Sequence, residues 1–427
     1  MRQSQLFTKT KKQPPSGEAS VNAQLLEQAG FIAKMMAGVY AYLPLGFRVL
    51  QKIETIIREE MNAIGGQEVF LPALQAKDLW QKTGRWDGLR EVMYQFRDHS
   101  NREIGLGVTH EEVVAEIVRR NVASYKDLPF AMYQIQTKFR HELRAKSGLT
   151  RGREFAMKDL YSCHATPADC NAYYETVKAA YTRCFQRLGL TTIIVEASGG
   201  SFSKDFSHEF QVLTAAGEDT IFHCDSCGFA QNKEISGVTT GNHCPSCGTG
   251  TISESRAIEV GNIFKLGTTF SDAIGARFRD RDGKEQPVVM ASYGIGPSRV
   301  MGTIIEVHHD DRGMIWPEAV APFAVHVLSI GKGAEIMIRA EHLAERLMKD
   351  GIDVLLDDRR SLTAGERFHD ADLLGIPHRV IVSERNEDKY EYRTRSETAS
   401  VLVTEQQLLK RFHRGGRSST NEGATTV

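Results

Sequence analysis

The sequence predicts an α+β domain followed by a separate α/β domain, on three observations. Ala131–Arg140 alternates strictly, with Tyr133, Ile135, Thr137 and Phe139 on one face and Gln134, Gln136, Lys138 and Arg140 on the other. A second strand-like run, Arg153–Leu160, returns from the basic stretch Leu143–Thr150, so the two form a long antiparallel hairpin with a large loop. Beyond Trp316-Pro317 and Ala321-Pro322 the pattern changes to alternating strands and helices. A chain of 427 residues fits two or three domains at roughly 150 residues each.

In chain order, residues 1–19 read as an extended arm, because Lys9–Glu18 is polar and carries two prolines. The first domain spans 20–320. In it Phe47, Leu50, Ile53, Ile57, Met61 and Ile64 recur at helical steps, and Gly65-Gly66 stops the helix. The strand Glu68–Leu71 follows and ends at Pro72, which removes a ladder donor and suits an edge or interface. Late in the domain, the strand Pro287–Ser292 runs into Gly294-Ile295-Gly296, with a helix from about Ser298. The second domain, 321–414, takes Val325–Ile330, Asp353–Leu356 and Arg379–Val382 as strands, with helices at Ala334–Lys349 and Glu366–Leu374. The tail 415–427 is small and polar, the composition of a disordered segment.

Hydrophobic residues at 41% and charged residues at 25% are those of a soluble globular protein. Lys+Arg (53) balances Asp+Glu (54), so total charge carries no nucleic-acid signature, although local basic patches suffice to hold a large RNA. No apolar run reaches the roughly 18 residues a membrane span needs, and Met1–Lys12 lacks the apolar core of a secretory signal. These features predict a cytoplasmic protein. Of seven cysteines, Cys163, Cys170 and Cys184 stand apart. The other four form two C-x-x-C knuckles, Cys224/Cys227 and Cys244/Cys247, separated by 16 residues and each followed by glycine. Four thiolates at this spacing predict a tetrahedral structural zinc site with no open catalytic position.

Two further segments bear chemistry. Phe139-Arg140-His141-Glu142 ends a strand and enters the basic loop, and Arg151-Gly152-Arg153-Glu154-Phe155 leads back. Arg140 offers a planar charged fork for phosphate or carboxylate, and Phe155 offers a flat face for a base. Alone, this pair reads as a solvated surface hairpin, since charge runs usually mark solvated faces. Ser292–Arg299 places glycines at a strand-to-helix junction with Arg299 in the first helical turn; alone it reads as a structural turn, since neither a dinucleotide nor a P-loop fingerprint fits.

Taken in order, a helix–strand unit ending in proline, F-R-x-E with its loop, and G-x-G-x-x-R resemble the three motifs of class II aminoacyl-tRNA synthetases. The resemblance runs from about Ser20 to Tyr390. Gly38–Gly46, Leu79–Asp87 (L-W-Q-K-T-G-R-W-D), Thr109-His110-Glu111-Glu112, Tyr133–Arg140 and Arg256–Thr268 look like prolyl-tRNA synthetases of bacterial type. The chain departs from that pattern at Val108, at Ser203-Lys204 and in the loop Arg144-Ala145-Lys146-Ser147.

The resemblance implies an antiparallel catalytic sheet surrounded by helices, then an anticodon-binding α/β domain. It assigns the helix around Phe47–Ile64 and the strand to Pro72 to a homodimer contact. It implies ATP and Mg2+, with Arg140 on the α-phosphate, Glu142 on the adenine amino group, and the base between Phe155 and Arg299. Arg151 falls to the outer phosphates and Glu209 to magnesium. Thr109 and Glu111 would receive the secondary ammonium of L-proline, while Met157, Phe202, His208 and Ser292, with Arg140, would shape its pocket. Arg359 and Phe368 would read the anticodon of tRNA(Pro). Many relatives carry an editing domain near Ala230-Gln231-Asn232. Here only Lys233–His243 lies between that stretch and the second knuckle, so 222–250 reads as a zinc-ribbon-like replacement. Clearing mischarged alanine would then need a separate protein. Alternatives are a class II synthetase for threonine and a non-catalytic tRNA-binding paralogue; retained Arg140 and Arg299 count against the latter.

Overall fold

The computed structural model describes residues 1–145, 147–200 and 206–415. Its first domain is organised by the predicted hairpin, in which Phe130–Phe139 pairs antiparallel with Glu154–His164 from Phe130↔Cys163 to Phe139↔Glu154. The hairpin belongs to a nine-stranded sheet, ordered Ser207–Leu213, Ile193–Ala197, Ala230–Asn232, Asp219–Cys224, Ile252–Gly267, Val289–Ile295, Glu154–His164, Phe130–Phe139, Gly66–Glu68. All neighbours are antiparallel except two short pairings, Gly66–Glu68 on Phe130–Phe139 and Ala230–Asn232 on Ile193–Ala197. The long strand Ile252–Gly267 also pairs with Ser207–Leu213, with a register shift at Phe210/Gln211. Five strands thereby close on themselves around Val195, Ile221, Ala230 and Ala257.

Three helices, Pro44–Ala63, Pro167–Arg187 and Pro297–Val307, cover one side of this sheet and share its largest core. The first begins earlier than its apolar repeat suggests, with proline at its start. Its buried stripe is Leu45, Val49, Ile53, Ile57 and Met61, which turns Phe47 outward at 49% exposure. Gly46 sets that rotation: a Cβ there would lie 2.1 Å from the Phe31 carbonyl oxygen, so only glycine lets the helix sit this close. The strand expected at Glu68–Leu71 is instead Gly66–Glu68, and Val69 N–H adds one bond to Tyr133 O at 2.7 Å before the chain departs. On the other side, the helix Glu111–Asn121 packs Val114 and Val118 against Phe270 and Met290. A three-stranded sheet, Leu74–Ala76, Glu103–Leu106 and Gln95–Arg97, accompanies a small core of Trp80, Trp86, Met93 and Val108.

In the second domain, the strand Val325–Ile330 and helix Ala334–Lys349 occur as the apolar periodicity predicts. Val325–Ile330 is flanked in parallel by Val354–Asp357 and His378–Ser383. Two antiparallel strands, Tyr390–Thr394 and Val401–Val403, and the helix Glu405–Gly415 complete the unit beyond the βαβ pattern. The N-terminus is no free arm. Met1 donates from its N-terminus to Val354 O at 2.8 Å and accepts from Leu356 N–H at 2.9 Å, covering the edge of Val354–Asp357. Arg395 forks onto Asp310 at 2.6 and 2.9 Å and Arg48 reaches Asp353 at 3.1 Å, joining the two domains. The tail expectation for 416–427 lies outside the described residues. Among the described residues no helix is long and apolar enough to cross a membrane.

Candidate active site

A cleft of about 250 Å³ opens where the hairpin, the strand Ile252–Gly267 and the strand Val289–Ile295 meet. Thr109, Glu111, Arg140, Glu142, Arg151, Phe155, Met157, Ser292 and Arg299 all line it. The strands, far apart in sequence, are register neighbours: Phe264 faces Ser292, which faces Tyr161.

One end of the cleft is acidic. Glu111 and Glu112 occupy the first turn of their helix, where the dipole favours negative charge. Thr109 Oγ1 donates to Glu111 Oε2 at 2.6 Å. Arg85 Nη1 reaches the same oxygen at 3.4 Å and Glu112 Oε1 at 3.0 Å. Burial pushes the Glu112 carboxyl up to about 7 against the opposing charge of Arg85. Burial also lowers His110 to about 4, so its neutral ring bonds the Pro72 carbonyl oxygen at 3.0 Å.

The alternating polar face of Phe130–Phe139 turns inward along its middle. Gln134 and Lys138 are fully buried and both bond Asp159, at 2.9 and 2.7 Å. Tyr161 Oη donates to Asp159 at 2.9 Å and accepts from His110 N–H at 3.0 Å. A polar face can turn inward when each group finds a partner. Only the end of that face, Arg140, enters the cleft.

Arg140 is held lightly, with Nε and Nη2 3.4 and 3.3 Å from the Val108 carbonyl oxygen and its guanidinium 5.5 Å above the Phe155 ring. Burial and the charge of Arg299 lower its pKa. Arg299 donates from Nε to Thr150 O at 2.9 Å and from Nη1 to Glu259 Oε2 at 2.9 Å. Arg151 Nε meets Glu142 at 2.9 Å, and its far end meets Glu218.

Glu209 lies behind this end, accepting from Gln211 at 2.8 Å, Asn232 at 3.2 Å and Asn262 at 3.3 Å. Burial and the nearby Glu259 push it up to about 8. The buried acceptors Gln211 Oε1 and Asn262 Oδ1 have no partner. Crowded carboxylates beside orphaned oxygens are a donor set that fits a hard divalent cation.

Strand alternation separates His208 from Glu209. His208 turns to the opposite face, where its Nδ1 and the Tyr174 hydroxyl lie 2.8 Å apart, and it does not line the cleft. Phe202 lies outside the described residues. Asp159, Tyr161, Glu259 and Asn262 also line the cleft. Glu259 and Asn262 lie three positions apart, so plain alternation would separate them; the register shift opposite Phe210/Gln211 lets both reach the cleft, and no sequence spacing announces it.

The four knuckle cysteines bring their sulfurs within 4.8 Å of one another. Cys224–Cys247 and Cys227–Cys244 separations are 3.8 and 3.7 Å, close to the ~3.8 Å edge of a tetrahedron with Zn–S bonds of ~2.3 Å. Backbone N–H groups of Ser226, Ser246 and Gly250 point at three of the sulfurs at 3.3–3.4 Å. The set fits zinc.

In the second domain Arg359 is bound on three nitrogens, Nε and Nη2 to Asp357 at 2.9 Å and Nη1 to Asp370 at 2.7 Å. Phe368 is half-buried on the helix Ala364–Leu374.

This sheet and cleft, followed by an α/β unit, define a class II aminoacyl-tRNA synthetase. Residues 94–308 match the family described as tRNA synthetase class II core domain (G, H, P, S and T), and 324–414 match the anticodon binding domain. The chain is 34% identical to a proline–tRNA ligase of Halothermothrix orenii, covering 91% of this chain and 94% of that one. It is 38% identical to one of Maricaulis maris, over 98% and 100%. The chain belongs to the proline–tRNA ligase family. In fold it is similar to a Cryptosporidium parvum prolyl-tRNA synthetase complexed with L-proline and AMP (TM-score 0.76, 18% identity, 92% of this chain and 74% of that one). A Giardia lamblia prolyl-tRNA synthetase in complex with prolyl-adenylate gives a TM-score of 0.75 at 19% identity, over 90% and 73%.

Proposed function

We propose that this protein activates L-proline with ATP, forming prolyl-adenylate and pyrophosphate, and transfers the prolyl group to the 3′ end of tRNA(Pro). The carrying observation is one cleft that joins an acidic pole, Thr109 and Glu111, to a cationic pole, Arg140 and Arg299. The proline ammonium, a cation with two N–H donors, binds Glu111 and Thr109. Met157 and Ser292 shape the ring pocket. The proline carboxylate attacks the α-phosphorus; its oxygen bonds to phosphorus as the bridge to pyrophosphate breaks. Arg140 neutralises charge developing on the α-phosphate, and its few existing bonds leave it able to do so. Glu142 reads the adenine, which stacks between Phe155 and Arg299, and Arg151 holds the outer phosphates. No general base is required, so rate comes from alignment and charge neutralisation.

Glu209 and Glu259 would hold Mg2+, which would draw charge from the phosphates when bound. Zinc at Cys224, Cys227, Cys244 and Cys247 would be structural, tying the strand Asp219–Cys224 to Ile252–Gly267. Arg359 and Phe368 belong to the anticodon-reading edge. A homodimer contact is supported by Phe70 at 80% and Leu74 at 59% exposure, near neighbours in the chain just after the strand Gly66–Glu68. Editing in cis is absent from this reading. The alignment with the Halothermothrix orenii ligase runs over 536 positions against 427 residues here, so over a hundred have no counterpart in this chain. An apolar pocket rejects a smaller substrate by only about 1–3 kcal/mol per methylene. A separate protein would therefore clear alanyl-tRNA. The cytoplasm is the expected location.

Purified protein should exchange pyrophosphate into ATP with proline and not with threonine, then charge a tRNA(Pro) transcript. Exchange with threonine alone, or tRNA binding with no exchange, would refute the assignment.

A further inference from the structure

Glu111 is gripped from behind by a segment that does not itself line the cleft. Gly84, at φ +71, makes the left-handed turn that launches the short helix Arg85–Gly88. Thr83 and Arg85 on either side of it both hold Glu112 Oε1, at 2.9 and 3.0 Å, and Arg85 extends to Glu111 Oε2. The guanidinium lies 5.2 Å from the Trp80 ring centre and 5.1 Å from that of Phe270, so its plane is fixed by packing. The same segment anchors the neighbouring loop: Trp80 Nε1 donates to Gln75 Oε1 at 2.7 Å, and Gln75 Nε2 donates to Thr109 O at 3.1 Å.

We infer that Arg85 is a positioning residue that sets the preference for a substrate bearing an ammonium, by holding Glu111 through Oε2. This rests on the reading of Glu111 as the ammonium acceptor. Thr109 and Arg85 converge on one carboxylate oxygen, which leaves Oε1 to accept from the substrate. Without Arg85, Thr109 alone would hold Oε2 and the Glu111 carboxylate could turn away from the ammonium, while Glu112 would keep only its bond from Thr83.

The test uses the full-length enzyme and two ligands of the same shape, proline and tetrahydrofuran-2-carboxylate, whose ring oxygen carries neither proton nor charge. Proline-dependent ATP–pyrophosphate exchange gives KM for proline and ATP, and inhibition gives Ki for the analogue. In Arg85→Met, KM for proline should rise about 30-fold, the scale of a lost charged hydrogen bond. Analogue Ki and ATP KM should stay within about twofold, since neither ligand calls on the charge of Glu111. Arg85→Lys, which keeps the charge and loses the fork, should lie between. Should Arg85→Met fail to fold, the same ratio is read on Arg85→Lys. Equal weakening of both ligands, or no change for either, would overturn the inference. If the unaltered enzyme itself failed to distinguish proline from the analogue, the role of Glu111 would fall first.

Discussion

Arg140 in the cleft and Arg359 with Arg367 in the second domain are buried or half-buried arginines beside carboxylates, yet their bonding differs. Arg140 makes two long contacts to one carbonyl oxygen and stands over a phenyl ring. Arg359 spends three nitrogens on Asp357 and Asp370, while Arg367 bonds Asp357 through Nε at 3.0 Å and also reaches Ser329. The carboxylates differ in step. Burial would raise Asp357, but the bond from Arg359 and the charges of His326 and Arg367 bring it to about 2. Glu112, with part of one arginine, stands at about 7. Unspent hydrogen-bonding capacity is what separates a poised ligand from a structural clamp. An arginine already saturated cannot take a phosphate without first breaking what it holds.

Three measurements test this contrast. The largest effect should come from Arg140→Ala, which should lower kcat/KM for proline-dependent exchange about a thousandfold, or about 4 kcal/mol, with little change in Tm. A large fall in Tm would make Arg140 a clamp like the others. Arg367→Met should do the reverse, costing about 3 kcal/mol by leaving Asp357 short of a partner, with exchange per folded molecule unchanged. Chemical unfolding beside an exchange assay separates the two.

A smaller effect should follow from Glu112→Gln. Between about pH 4.5 and 7 the folded chain keeps a proton on Glu112 that the unfolded chain has released, so this group's contribution is greatest below 4.5 and is lost as pH rises through 7. The variant should therefore lose less stability than its parent from pH 5 to 8, by at most about 3 kcal/mol. Parallel urea curves for both proteins at the two pH values would remove Glu112 from that role.

Periodicity made some elements legible to the residue. Val325–Ile330 and Ala334–Lys349 alternate or repeat because one face of each meets a core. The hairpin was equally plain, and motif order brought most cleft residues together before any coordinates did. What periodicity misjudged was the destination of polar faces. Gln134 and Lys138 look solvent-bound until Asp159, on the partner strand, is seen to accept from both. Arg359 shows no partner beyond Asp357 in its own stretch of sequence, yet Asp370, eleven positions on, lies against it. The resemblance gives Glu209 to magnesium and its neighbour His208 to the proline pocket, although adjacent strand residues face opposite ways.

The sequence alone determined the order of elements, the two-domain plan, the cysteine knuckles and the residue types of the cleft, because these follow from local spacing. Only the tertiary structure decided which charged groups remain available and which are consumed by one another. That choice depends on partners distant in the chain, and desolvation makes each pairing count for far more inside the protein than it would in water. Arg85 belongs to the second kind: nothing in its own neighbourhood of sequence announces that it ends at Glu111.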